Sequence, residues 1–154
     1  NEMSELITDE NITIKKDVLV LIQKVFRILF MKLSSNNVKI SWSHGDFQPA
    51  NILVNNHNYK VIDWEASNKR FYLYDVFTLF SKIRSNISLT KAIENYKNVD
   101  KSFDKINKRT EEEIILLLIE ELRYHMNEEF SKNFYTAGIK TEKLCYCITT
   151  YIYE

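Results

Sequence analysis

Three oxygen-bearing side chains recur at short intervals in the middle of the chain. Residues 43–54 read Ser-His-Gly-Asp-Phe-Gln-Pro-Ala-Asn-Ile-Leu-Val, with Asn51 five positions after Asp46. Asp63 lies twelve past Asn51, directly after Tyr59-Lys60-Val61-Ile62. An Asp, an Asn and a second Asp in this order suit one chemistry well. The first carboxylate can orient a hydroxyl and accept its proton, while the Asn and the second carboxylate hold Mg²⁺ on a nucleotide's phosphates. Phosphoryl transfer asks a protein mainly for positioning and for neutralisation of charge on the phosphate oxygens. Mg²⁺ is a hard cation that takes oxygen ligands, often one or two from the protein. Asn51 offers a neutral carbonyl oxygen and Asp63 a charged one, which leaves Asp46 to act on the substrate.

These residues must be brought together by the elements around them. Two short strand-like runs, residues 51–55 and 59–64, flank Asn55-Asn56-His57-Asn58. Asn-rich pairs favour tight turns between strands. A hairpin there folds Asn51 and Asp63 back towards each other.

Residues 44–51, His-Gly-Asp through Asn, resemble the catalytic loop of the aminoglycoside phosphotransferase and choline kinase family. That family is similar to protein kinases, whose loop carries Arg where this chain has Gly45. Ile62-Asp63-Trp64-Glu65 resembles the family's metal-binding segment, and Tyr74-Asp75-Val76 its later Asp-containing element. The resemblance implies Asp46 as catalytic base and Asn51 and Asp63 as Mg²⁺ and nucleotide ligands. It implies His44 as a brace for the loop and Asp75 as an acceptor for loop N–H groups. Glu65 stays open between a second metal ion and a cap on a following helix. The implied cofactors are ATP and Mg²⁺, and the implied acceptor is a hydroxyl on a small molecule: an amino alcohol, an aminoglycoside or a sugar. Trp64 and Glu65 are closer to the choline- and thiamine-kinase-like branch, and an aromatic face beside a carboxylate suits a cationic amine.

The implied fold is mainly α with a small β-hairpin (α+β), in the manner of a protein-kinase C-terminal lobe. The stretch before His44 reads as one tail and one helix, and the chain holds 2 Gly. Neither accommodates the glycine-rich cover that such enzymes use over ATP. The expectation is one domain over residues 1–154, the C-terminal lobe of a longer phosphotransferase. Its N-terminal ATP-binding lobe is then absent, and the isolated chain is expected to be inactive.

Going along the chain, residues 1–12 read as a loose lead-in. Val18, Leu21, Ile22, Val25, Phe26, Leu29, Phe30 and Leu33 then follow i, i+3, i+4, i+7 spacing, which predicts an amphipathic helix. Residues 38–42 alternate like a strand entering the loop. Residues 71–84 are apolar on nearly all sides and predict a buried helix. Asp75 within it is costly unless hydrogen-bonded, an independent reason to place it beneath the loop. The stretch 65–70, which separates Asp63 from that helix, is polar and very short, as suits an enzyme that acts on small molecules. One or two weak helices are expected over 86–108. Thr110-Glu111-Glu112-Glu113 is a capping box, opening a helix to about residue 130. Its Glu120, Glu121, Glu128 and Glu129 read first as a solvated face, with an acidic wall for a cationic substrate as the second reading. Residues 141–153 predict a last, Tyr-rich helix.

Composition narrows the classes. Lys and Arg number 21 and Asp and Glu 21, so no charge excess or basic stripe points to nucleic acid. The longest apolar run near the start, residues 18–22, is far too short to span a bilayer, so no membrane partner is expected and a cytoplasmic location is. Cys145 and Cys147 read as reduced thiols. Two other functions stand beside the phosphotransferase: a non-catalytic helical interaction module that keeps the fold, and a metal-dependent phosphoesterase. The latter needs more metal-binding His than a chain with 3 His readily supplies.

Overall fold

The computed structural model describes residues 16–33, 37–99, 110–130 and 139–153. The expected lead-in, residues 1–12, lies outside them. Among the described residues the chain is α+β, with five α-helices and two small antiparallel sheets. It divides into two compact units, residues 1–31 with 121–154, and residues 32–120.

In the first unit, α1 (Lys16–Met31) packs against α5 (Ile139–Tyr153). Val18, Ile22, Val25 and Leu29 are buried, the stripe that the spacing predicts. Phe30 falls off that stripe and stays exposed. The N-terminal N–H groups of α5 have no partner within their own helix. Glu129 supplies one: its carboxylate accepts from Lys140 N (2.8 Å), Thr141 N (2.9 Å) and Thr141 Oγ1 (2.5 Å).

The second unit holds the strands. β1 (Ile40–Ser43) leads into the loop, and a 3₁₀ turn (Pro49–Asn51) comes after it. β2 (Ile52–Asn55) and β3 (Asn58–Val61) form the expected hairpin. Its two turn residues, Asn56 and His57, both have positive φ, 41° and 73°. This is the turn sense that matches strand twist, and Asn tolerates it well.

The polar stretch after Asp63 contains a strand that periodicity did not reveal. β4 (Asn68–Phe71) pairs antiparallel with β1, Ser43 opposite Asn68 and Ile40 opposite Phe71. The fold therefore has a second sheet beside the hairpin. Pairing claims Phe71, so the helix expected from residue 71 starts later: α2 runs Tyr74–Ser81. It ends early because Lys82 turns left-handed, φ 57°. Phe77 is buried, whereas Val76, Leu79 and Phe80 are only half-buried. α3 (Leu89–Lys97) packs on α2 and is N-capped by Ser88, whose side chain accepts from Lys91 N. α4 (Glu111–Phe130) opens on the capping box, with Thr110 and Glu113 exchanging side-chain to backbone hydrogen bonds at 3.0 and 3.1 Å.

Of the four glutamates expected to be a solvated face, Glu120, Glu121 and Glu129 are instead bonded within the protein. Glu120 accepts from Phe71 N at 3.0 Å and lies 3.6 Å from Arg70. Glu121 is fully buried and pairs with His125 at 3.2 Å. With Glu129 bound to the start of α5, at least three of the four carboxylates hold the fold together.

Candidate active site

The loop after β1 is gripped from one side by α2. Asp75 lies in that helix's first turn. Its carboxylate accepts from Ser43 Oγ at 2.7 Å, His44 N at 2.8 Å and Gly45 N at 3.1 Å. One turn later on the same face, Thr78 Oγ1 donates to Phe47 O at 3.1 Å. A carboxylate with three donors satisfies the demand that burial makes of it.

His44 is 2% exposed and ties two segments together. Asp46 N–H donates to its Nδ1 at 3.3 Å, so Nδ1 is an acceptor and the proton sits on Nε2. Nε2 then donates to Ile62 O at 2.8 Å. Neither ring nitrogen is left to relay a proton. Ile62 is held on its other side too, its N–H donating to Asn51 O at 3.0 Å. The residue before Asp63 is therefore fastened to both ends of the loop.

Gly45 adopts φ +84°, and a Cβ there would lie 2.2 Å from Ala66 O. The loop and the chain after Asp63 approach so closely that only glycine fits. Arg70 lies beneath this contact, 3% exposed. It donates from Nη2 to Ala66 O at 3.1 Å and stacks its guanidinium on the Tyr74 ring.

Asp46 is the most heavily bonded side chain of the loop. Its Oδ2 accepts from Asn51 Nδ2 (3.0 Å) and Gln48 Nε2 (3.0 Å), and its Oδ1 from Gln48 Nε2 (3.2 Å) and from Arg84 Nη1. Asn51, 8% exposed, also donates Nδ2 to Asp46 O at 2.9 Å. Its amide nitrogen is thus committed to Asp46, and Oδ1 is the atom left to meet a cation.

Asp63 is exposed and left-handed, φ 63°, and makes no hydrogen bond or ion pair among the described residues. Asn51 Oδ1 and the Asp63 carboxylate are hard oxygen donors, the set that Mg²⁺ takes. Among the described residues no group of three or more His, Cys, Asp or Glu side chains is placed to hold a metal ion. Glu65 is exposed in the turn after Asp63. The next element is β4 and not a helix, so the helix-cap reading falls. Trp64 donates its Nε1 to Val61 O at 3.1 Å, and its half-exposed ring lies 4.6 Å from the His44 ring.

Ser43, Gln48, Thr78 and Arg84 were not legible as parts of this site. Arg84 is the most consequential of them. In sequence it is a basic residue at the end of an apolar run, a pattern that ordinarily means favourable placement near a helix C-terminus.

In the second unit, two small sheets and α2 frame a loop whose Asp, Asn and Gly are each held by specific bonds. The model of the Phosphotransferase enzyme family matches residues 13–104, more than half of the chain, and the chain belongs to that family. No curated protein and no solved structure matches it. No described helix is long and apolar enough to cross a membrane.

Proposed function

We propose that this chain carries the catalytic loop of an ATP- and Mg²⁺-dependent phosphotransferase acting on a hydroxyl of a small molecule, on a protein-kinase-like C-terminal lobe. The observation that carries the reading is the bonding of Asn51. Its Nδ2 is committed to Asp46, while its Oδ1 remains for a cation. One residue would thereby couple the base to the metal.

In this reading Asp46 accepts the hydroxyl proton as the substrate oxygen bonds to the γ-phosphorus. The bond from that phosphorus to the bridging oxygen breaks, and ADP leaves with the electron pair. Mg²⁺, when bound, supplies neutralisation of charge on the phosphates. Asn51 Oδ1 and Asp63 would hold it, with Glu65 near enough in sequence to join a second ion. His44 and Asp75 hold the loop and take no proton. With 2 Gly in the chain, a glycine-rich cover over the phosphates belongs to another part of the enzyme.

Acceptors worth comparing are amino alcohols, aminoglycosides and sugars. The half-exposed Trp64 face followed by Glu65 favours a cationic amine. The deciding assay is ADP release by the complete enzyme with Mg²⁺ and ATP against a panel of these acceptors. One class should raise release well above the water-only rate. Asp63→Ala should abolish Mg²⁺-dependent nucleotide binding. Undiminished binding by that variant would overturn the metal assignment and favour a non-catalytic module.

A further inference from the structure

The geometry points to Arg84 as a positioning residue for Asp46, a role that rests on the phosphotransferase reading of the loop. Three observations carry it.

The first is how many of its bonds converge on the base. Arg84 bonds Asp46 Oδ1 through Nη1, and through Nη2 it donates to Gly45 O at 2.8 Å and to Tyr74 Oη at 3.0 Å. The same guanidinium thus holds the carboxylate of the base and the backbone carbonyl just before it. A planar fork suits this task, whereas a Lys ammonium would act as a point charge. The contact is also sheltered: the two side chains are 12% and 16% exposed, so water and salt weaken it less than a surface pair.

The second is that the chain is shaped to bring Arg84 there. It lies three residues past the end of α2 and would point away if the helix continued. Lys82 turns left-handed at φ 57°, Ser85 N–H closes a turn onto Lys82 O at 2.8 Å, and Ile83 N–H donates to Ser81 Oγ at 3.1 Å. Asn95 of α3 ties down Ser81 O at 3.2 Å. From this turn the Arg84 side chain reaches the hydroxyl of Tyr74, the first residue of α2.

The third is electrostatic. A carboxylate that must sit close to a triphosphate is repelled by it. A guanidinium bonded to the carboxylate offsets that repulsion, and because it stays protonated it cannot itself take the hydroxyl proton. With Gln48 and Asn51 donating as well, the base is oriented before substrate arrives, the condition under which positioning accelerates a reaction.

The test has two arms. In the first, the side-chain amide resonances of Gln48 and Asn51 are followed by ¹⁵N NMR in wild type, Arg84→Lys and Arg84→Ala. Both amides donate to Asp46, so releasing the carboxylate should shift and broaden them in Arg84→Ala while resonances of α1 and α5 stay put. Unmoved amides would overturn the proposal whatever the activity. In the second arm, the complete enzyme turns over Mg²⁺ and ATP with the acceptor found by the panel assay. Arg84→Ala should lower kcat about a hundredfold per folded active site, with KM for ATP unchanged. Added guanidinium should restore part of the rate, and Arg84→Lys should fall between. Wild-type turnover in Arg84→Ala would overturn the proposal. So would a loss that tracks the unfolded fraction and that guanidinium does not restore. If the wild type releases no ADP yet the amides move, the phosphotransferase reading fails and the hold of Arg84 on Asp46 stands.

Discussion

Gly45 has no room for a side chain. The Ala66 carbonyl would lie 2.2 Å from a Cβ, and φ is +84°. The clashing atom is backbone, so no rotamer relieves it. Gly45→Ala should cost about 1–3 kcal/mol of stability, measured by urea unfolding, and should free the loop. The accompanying loss of turnover should exceed the loss of folded protein. Asp46 makes a different prediction, since in the proposed reaction it is the base. Asp46→Asn should lower kcat by about 10²–10⁴-fold and leave Mg²⁺-dependent nucleotide binding in place. A calorimetric titration beside a turnover assay separates the two quantities. Wild-type kcat in that variant would remove Asp46 as the base.

The elements around the site differ in how much local chemistry specifies them. The hairpin of β2 and β3 was readable because its turn is a matter of two residues. Asn tolerates left-handed backbone, and the two-residue spacing pins the register. His57 at φ 73° is the weaker half of that turn. His57→Gly should raise the unfolding midpoint, by about 0.5–1 kcal/mol equivalent, with activity unchanged. The helices α1, α4 and α5 were readable from apolar spacing and from the Thr110 capping box. β4 was not. Asn68-Lys69-Arg70-Phe71 has no alternating pattern, and it is a strand because β1 lies beside it. Its inner end is set by a buried Arg70 and by Phe71 N–H, which donates to Glu120 of α4. The glutamates of α4 misled for a related reason. Charged residues usually face water, and the groups that bind Glu120, Glu121 and Glu129 here are donors that periodicity does not report.

At the scale of the whole molecule, stability should depend on alkaline pH through one buried thiol. Burial pushes Cys145 up from the ordinary 9.0 to about 12, with the nearby Glu142 carboxylate adding to the effect. The folded protein therefore holds this proton more tightly than the unfolded chain does. The corresponding stability is complete below about pH 9 and is lost as pH rises from there towards 12. Urea midpoints at pH 8 and pH 10.5 should fall further apart in wild type than in Cys145→Ala. Cys145 should also resist thiol reagents in the folded state, whereas Cys147, which is less buried, should react first.

The amino-acid sequence by itself determined which groups are on offer: an Asp, an Asn and a second Asp in a fixed order, a tight Asn-rich turn between the last two, and the family to which residues 13–104 belong. Those are local properties, since side-chain type and short spacing do not depend on what packs around them. Only the tertiary structure decided what holds each group. Arg84 reaches Asp46 from 38 positions away, and Asp75 reaches Ser43 from 32. A hydrogen bond needs two groups within about 3 Å, and between residues so far apart in sequence that distance is set by the path of the chain around them.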